Sequence, residues 1–258
     1  MLEPKIKSCT ACFVENIRKI LGDKLLSVYL YGSVTLRDYQ DGWSDIDIIC
    51  FTAQPLSQPE AEQLLMLRQQ LTETEKDPMF RKMEGAVVCL DEFANACYTK
   101  LVYWGTSGQR ITDAYSFDVF SMYELIKYGE LIFGRDIRRR FTLPTDSELR
   151  KGVEQHYETV RKYAQKTNDS LYSCGWLLDI ARCLYTLKNG DIISKTEAGR
   201  WALAENLCPC TEEMNITLKI RKNPSEYMNL PETKRWLCTL GESVQKFADI
   251  LEKELAGK

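Results

Sequence analysis

Leu30-Tyr31-Gly32-Ser33 and Ser44-Asp45-Ile46-Asp47-Ile48-Ile49 read together as the end of one strand, a Gly-Ser turn, a connection, and a second strand carrying two carboxylates. Side chains alternate between the faces of a strand, so Asp45 and Asp47 point the same way, about 7 Å apart along the chain. Ile46 and Ile48 point the other way, toward a core. Two carboxylates on one face repel unless a cation sits with them. Magnesium suits the arrangement, because it takes oxygen ligands and fills its remaining positions with water or substrate phosphates. The turn upstream offers backbone N–H groups and the Ser33 hydroxyl where such phosphates would lie. Gly32 lets the backbone approach them closely. The stretch therefore points to nucleotide-phosphate chemistry.

That chemistry also needs a base for the attacking hydroxyl. A third carboxylate on a neighbouring strand is the natural candidate, and Glu84, at the start of the apolar run Gly85-Ala86-Val87-Val88-Cys89-Leu90, is correctly placed in the order of elements. Metal held by the aspartates would grip a triphosphate and help pyrophosphate leave.

The remainder of the composition narrows the alternatives. The chain has 258 residues, enough for one large domain or two modest ones. Its net charge of -3 and pI of about 5.5 argue against a protein that coats nucleic acid. No segment approaches the roughly 18 consecutive apolar residues of a membrane helix. The N-terminal stretch is helical in pattern and broken by charges, without the apolar centre of a signal peptide. A cytoplasmic protein, without nucleic-acid or membrane partners and monomeric, is expected.

The single histidine, His156, lies in a polar helical pattern, so carboxylates are better placed than imidazole to do acid–base work. The ten cysteines are scattered, and several (Cys50, Cys89, Cys183) fall inside apolar patterns as core thiols do. Cys9 with Cys12 and Cys208 with Cys210 offer a four-thiolate zinc site as an alternative. Against it, the first pair has the spacing of core-facing helical residues and the second has one intervening residue.

Along the chain, helix and strand patterns alternate at first. A helix is expected over 6–21, strands over 25–31 and 45–51, and a helix opened by the capping pair Ser57 and Glu60 and running to about Glu75. A strand follows over 85–90, loop or edge structure over 104–111, a helix over 116–128, and a short apolar run over 131–134. After Pro144 only helical patterns remain, over 147–166, 170–188, 194–207, 211–222 and 231–254. The expected architecture is α+β: a nucleotide-handling domain with a mixed sheet over residues 1–140, then a helical bundle over 141–258.

Gly32-Ser33 followed by Ser44-Asp45-Ile46-Asp47 resembles the signature of the DNA polymerase β-like nucleotidyltransferase superfamily. The two-domain arrangement is similar to its aminoglycoside nucleotidyltransferases, above all the spectinomycin/streptomycin adenylyltransferases. The resemblance implies that Asp45, Asp47 and Glu84 hold Mg2+, and that Gly32 and Ser33 bind ATP phosphates. By the local pattern Lys82-Met83-Glu84-Gly85-Ala86-Val87, it also makes Glu84 the general base. It extends to Arg182-Cys183-Leu184-Tyr185, Gly190-Asp191-Ile192, Lys195 and Trp201-Ala202. It implies that Arg182 and Lys195 reach ATP, whose phosphates together with the aspartates call for cations. Trp104 is matched to a substrate-facing tryptophan. Asp179, one turn before Arg182, either meets a substrate ammonium or pairs with Arg182.

The implied activity is transfer of AMP from ATP to a hydroxyl of a cationic aminoglycoside or aminocyclitol antibiotic. Two other readings belong to the same resemblance. One keeps the chemistry and changes the acceptor to a lincosamide or a protein; an RNA end would want a basic groove. The other is a non-catalytic binding partner on the same scaffold, which would have no need of all three carboxylates.

Overall fold

A computed structural model describes residues 2–73, 78–105 and 108–257. The chain forms two compact units. The first comprises Met1–Thr35 and Asp45–Leu143, the second Leu36–Ser44 and Pro144–Lys258.

The first unit runs α1 (Pro4–Leu21), β1 (Leu25–Leu30), β2 (Ile46–Thr52), α2 (Gln58–Glu73), β3 (Met83–Cys89), α3 (Leu90–Ala94), β4 (Leu101–Gly105), β5 (Gly108–Thr112), α4 (Val119–Lys127) and β6 (Glu130–Gly134). Its six strands form one sheet in the order β5-β4-β3-β2-β1-β6. Only β2 and β3 pair in parallel; the other neighbours are antiparallel. A parallel pair needs a long crossover, which α2 supplies. Ser57 and Glu60 cap α2 reciprocally: the Ser57 N–H donates to Glu60 Oε2 at 2.7 Å and the Glu60 N–H to Ser57 Oγ at 3.4 Å. The helix is described as far as Glu73, and Glu75 lies outside the described residues.

Both sheet faces are covered, so the central strands are apolar almost throughout. On one face Tyr29, Tyr31, Ile49, Phe51, Ala86, Val88 and Leu101 pack with Phe93, Leu125 and Ile137. On the other, Trp104 meets Phe13 of α1 edge to face, with ring centroids 5.2 Å apart. Two short segments resolve differently from the sequence patterns. Residues read as loop or edge form the β4–β5 hairpin, and the apolar run at 131–134 is the strand β6 on the far side of β1.

The second unit is helical: α5 (Asp146–Tyr163), α6 (Tyr172–Asn189), α7 (Lys195–Ala204), α8 (Thr211–Lys222), α9 (Pro224–Tyr227), α10 (Pro231–Leu237) and α11 (Gly241–Leu255). The helix α6 is the centre of the bundle. Leu177, Leu178, Ile180, Ala181 and Leu184 are buried around it, and α5, α7, α8 and α11 pack on it. Capping boxes open α5 at Thr145 and α7 at Ser194. The helical pattern over 231–254 is broken into α10 and α11. Gly241 passes so close to α5's C-terminal end that a Cβ there would lie 2.3 Å from the Gln165 carbonyl oxygen.

Residues 36–44, within the stretch 1–140 read as the first domain, group with the second unit. The reason is a buried ion pair: Arg221 Nη2 of α8 lies 2.7 Å from Asp38 Oδ2, with the two side chains 3% and 6% exposed. Asp38 Oδ2 also accepts from the Thr196 N–H at 3.2 Å, and Arg221 Nε donates to Thr196 Oγ1 at 3.0 Å. The Arg221 guanidinium lies over Trp43, 5.2 Å from the ring centre.

Cys50, Cys89 and Cys183 are buried core thiols. Cys208 and Cys210 are buried with their sulfurs 3.6 Å apart. Among the described residues no three His, Cys, Asp or Glu side chains gather closely enough to hold a metal ion by themselves. No helix among them is long and apolar enough to cross a membrane.

Candidate active site

The site begins where β1 ends. The Tyr31 N–H donates to the Asp47 carbonyl at 3.1 Å, carrying the pairing with β2 one step past the strand. The chain then turns at Gly32, whose φ of +68° is a left-handed conformation open to glycine. The turn brings Gly32 against the carboxylate of Asp47: a Cβ on Gly32 would lie 2.1 Å from Asp47 Oδ2. Ser33 Oγ is 3.5 Å from the Asp45 carbonyl oxygen, and Thr35 Oγ1 donates to the Gly32 carbonyl at 3.1 Å.

Asp45 and Asp47 are half-buried, while Ile46 and Ile48 between and after them are buried, as strand alternation requires. In the parallel pairing of β2 with β3, Asp47 stands opposite Glu84. Neighbouring strands lie about 4.8 Å apart and paired residues share a face. The structure therefore sets Asp47 and Glu84 on one face of the sheet beside the Gly32-Ser33 turn, with Asp45 one residue before β2. The next residues along that face, Ile49, Phe51, Ala86 and Val88, are apolar core. The carboxylates thus sit at the edge of a dry aromatic layer.

Among the described residues these carboxylates do not form a closed three-ligand cage. Magnesium requires no such cage, since it commonly takes one or two carboxylates and completes its shell with phosphates and water. The two aspartates fit it as a donor set. Glu84 Oε1, meanwhile, accepts a hydrogen bond from the Tyr103 hydroxyl at 2.6 Å.

Tyrosines border the site, and sequence reasoning missed them. Tyr103 contacts Glu84 directly. Burial, with Tyr115, Asp47 and Asp118 nearby, holds the Tyr31 phenol well above its ordinary value. Burial likewise raises the Tyr115 phenol, which hydrogen-bonds to Tyr31. Both remain neutral O–H groups beside the aspartates. The alternation that aims Tyr103 at this face follows from its pairing with Ala86, and it becomes readable only once residues 101–105 are known to be a strand.

Trp104, matched by the resemblance to a substrate-facing tryptophan, pairs with Gly85 on the sheet face opposite Glu84 and is 3% exposed against Phe13. The glycine opposite it leaves room for the indole.

In the second unit, Asp179 and Arg182 lie one turn apart on α6, and Lys195 is the first residue of α7. Lys195 Nζ is 2.8 Å from Asp179 Oδ1, so Lys195 is an ion partner of Asp179. Burial alone would raise the Asp179 carboxyl; the charges of Lys195, Arg182 and His156 and the Lys195 hydrogen bond outweigh it and hold the group below the usual carboxylate range. Tyr185 and Trp201 join the same two helices edge to face, 5.2 Å between ring centres.

Known proteins share this arrangement. Residues 14–83 match the nucleotidyltransferase domain family, a span that takes in the turn and both aspartates and stops just short of Glu84. Fold, carboxylates and this match define the chain as a nucleotidyltransferase enzyme. Residues 145–254 match the C-terminal domain of aminoglycoside adenylyltransferases, a span that includes Asp179, Arg182 and Lys195. The two matches, in this order, make the chain similar to the aminoglycoside nucleotidyltransferases. Among solved structures it shares its fold with spectinomycin adenyltransferase AAD(9) from Enterococcus faecialis, crystallised with ATP and spectinomycin. The TM-score is 0.71 and the identity 17%, over 95% of this chain and 99% of that one.

Proposed function

We propose that this enzyme transfers AMP from ATP to a hydroxyl of an aminoglycoside or aminocyclitol of the spectinomycin/streptomycin class, with Glu84 as general base. The observation that carries the reading is the register of β2 with β3, which sets Glu84 beside Asp47 at the Gly32-Ser33 turn. The ATP and spectinomycin held by AAD(9) support the choice of donor and acceptor class.

Asp45 and Asp47 would hold Mg2+, which when bound neutralises phosphate charge and polarises the phosphoryl group under attack. Gly32 and Ser33 offer the phosphates a backbone without a side chain in the way and one hydroxyl donor. By the same resemblance Arg182 and Lys195 would be the cations for ATP phosphates. Glu84 takes the proton of the acceptor hydroxyl as that oxygen bonds to the α-phosphorus and the bond to pyrophosphate breaks. Positioning and charge neutralisation provide most of the rate, as in phosphoryl transfer generally.

Purified enzyme with ATP, magnesium and a panel of aminoglycosides, aminocyclitols, lincosamides and a protein acceptor should release pyrophosphate with the first two classes. Glu84→Gln should bind ATP with unchanged affinity and lose turnover by about 10²-fold or more, the usual scale for a general base. Release of pyrophosphate with a lincosamide or protein alone would move the acceptor class. A Glu84→Gln enzyme working at the wild-type rate would remove the base assignment.

A further inference from the structure

We propose that Tyr103 is the positioning residue of Glu84, its hydroxyl holding the carboxylate in the orientation in which it meets the acceptor. The proposal rests on the reading of Glu84 as general base and deepens it. A glutamate at a strand's first turn has three rotatable bonds and two equivalent oxygens. A base that must meet one hydroxyl within hydrogen-bond reach gains from losing that freedom beforehand. The Tyr103 O–H donates to Glu84 Oε1 at 2.6 Å.

The surroundings of Tyr103 are built to hold that hydroxyl in place. Tyr103 stands on β4 opposite Ala86, one residue further along β3 than Gly85. Its ring must therefore lean back along the sheet to reach Glu84. Gly105, two residues on and so on the same face, makes this possible. A Cβ on Gly105 would lie 2.0 Å from the Tyr103 hydroxyl oxygen and 2.4 Å from Cζ. The phenol lies in the space that any other residue at 105 would occupy. Arg110, the partner of Tyr103 on β5, covers the other side of the ring, its guanidinium carbon 4.2 Å from the centroid. Tyr115 closes the remaining side, with ring centroids 6.4 Å apart. Arg68 of α2 fixes the strand end itself, donating to the Gly105 carbonyl at 2.9 Å and to Gln109 Oε1 at 3.3 Å. Strand, glycine notch and stacked guanidinium together aim one hydroxyl at one oxygen.

A positioning role and a packing role separate in kinetics. Tyr103→Phe keeps the ring and its stacking and removes only the hydroxyl. In the full-length enzyme kcat should fall about 10- to 100-fold, the scale of a small misplacement of a reacting group. The KM values for ATP and acceptor should stay within about twofold, since the lost interaction matters in the transition state alone. The melting temperature should be close to wild type. Gly105→Ala, which keeps the hydroxyl but displaces it, should lower kcat in the same way. Added to Glu84→Gln, Tyr103→Phe should leave the residual rate unchanged, because its effect runs through a carboxylate no longer there.

An unchanged kcat in Tyr103→Phe, with Glu84→Gln inactive, would overturn the proposal and leave the general-base reading standing. So would a raised acceptor KM at constant kcat, which would make Tyr103 an acceptor contact, or a further drop on the Glu84→Gln background. Wild-type turnover in Glu84→Gln would overturn both.

Discussion

Gly32 is the residue on which the most structural demands converge. It ends a strand, turns the chain with a positive φ, and leaves space for the Asp47 carboxylate. The two demands are separable in principle, because a turn can be made elsewhere and a carboxylate can rotate. Here they coincide: the atom missing from glycine is the one that would strike Asp47 Oδ2. Gly32→Ala therefore faces both a left-handed backbone, which costs an alanine about 1–2 kcal/mol, and a displaced aspartate. The expected outcome is a melting temperature lowered by a few degrees and turnover lowered far more than that loss of stability explains. Thermal unfolding and pyrophosphate release on the same preparation check it. An alanine enzyme that lost stability and kept its rate would show that the notch serves the turn alone.

Among the elements, those with a local signal in the sequence are the ones it locates well. Thr211–Lys222 is bounded by charge and proline and forms α8 over those residues. The capping pairs Ser57/Glu60 and Ser194/Glu197 mark real helix starts. The carboxylates of β2 were legible because strand alternation is a local rule. Elements defined by a distant partner were not. Glu130–Gly134 is a strand because β1 has a free edge for it to pair with, and Leu101–Gly105 and Gly108–Thr112 are strands because β3 offers the next edge. Tyr103's place beside Glu84 and the burial of Trp104 follow from that pairing, so neither was legible in the sequence. Ser194 is a case where the local signal carries a testable energy. Its hydroxyl accepts from the Glu197 N–H at 3.2 Å, and Glu197 reaches back to the Ser194 hydroxyl at 3.0 Å. Ser194→Ala should cost about 1 kcal/mol, read as a shifted urea midpoint at unchanged slope. As Lys195 is the first residue of that helix, its proposed ATP contact makes weakened ATP binding the second expected effect of fraying there. An unshifted midpoint would mean that packing, not the cap, holds the start of α7.

At the scale of the whole chain, the segment 36–44 decides how the molecule is assembled. The polypeptide passes from the first unit to the second after Thr35, returns after Ser44, and leaves again after Leu143. A boundary drawn from composition alone sees the last of these, because only there does the pattern change from mixed to helical. The excursion is invisible to composition, since what places it is one aspartate finding one arginine 183 residues later. A buried pair of this kind adds little over apolar replacements, yet removing one partner leaves the other charge buried and uncompensated, at about 3–5 kcal/mol. Arg221→Ala should therefore destabilise the second unit by that order, because Asp38 keeps the Thr196 N–H and a long contact from Gln40 but loses its charge partner. Replacing both, as Asp38→Leu with Arg221→Met, should recover much of the loss. Urea unfolding followed by tryptophan fluorescence suits the test, as Trp43, Trp176, Trp201 and Trp236 all lie in that unit. Ser33 and Asp45 flank the segment closely in the chain, so loosening it reaches the turn and the first aspartate through the backbone, and turnover of Arg221→Ala should fall as well. If Arg221→Ala unfolded at the wild-type midpoint, the excursion would be held by something other than this pair. If it lost stability while the double replacement lost as much again, the pair would be contributing net stability, not merely fixing where the segment goes.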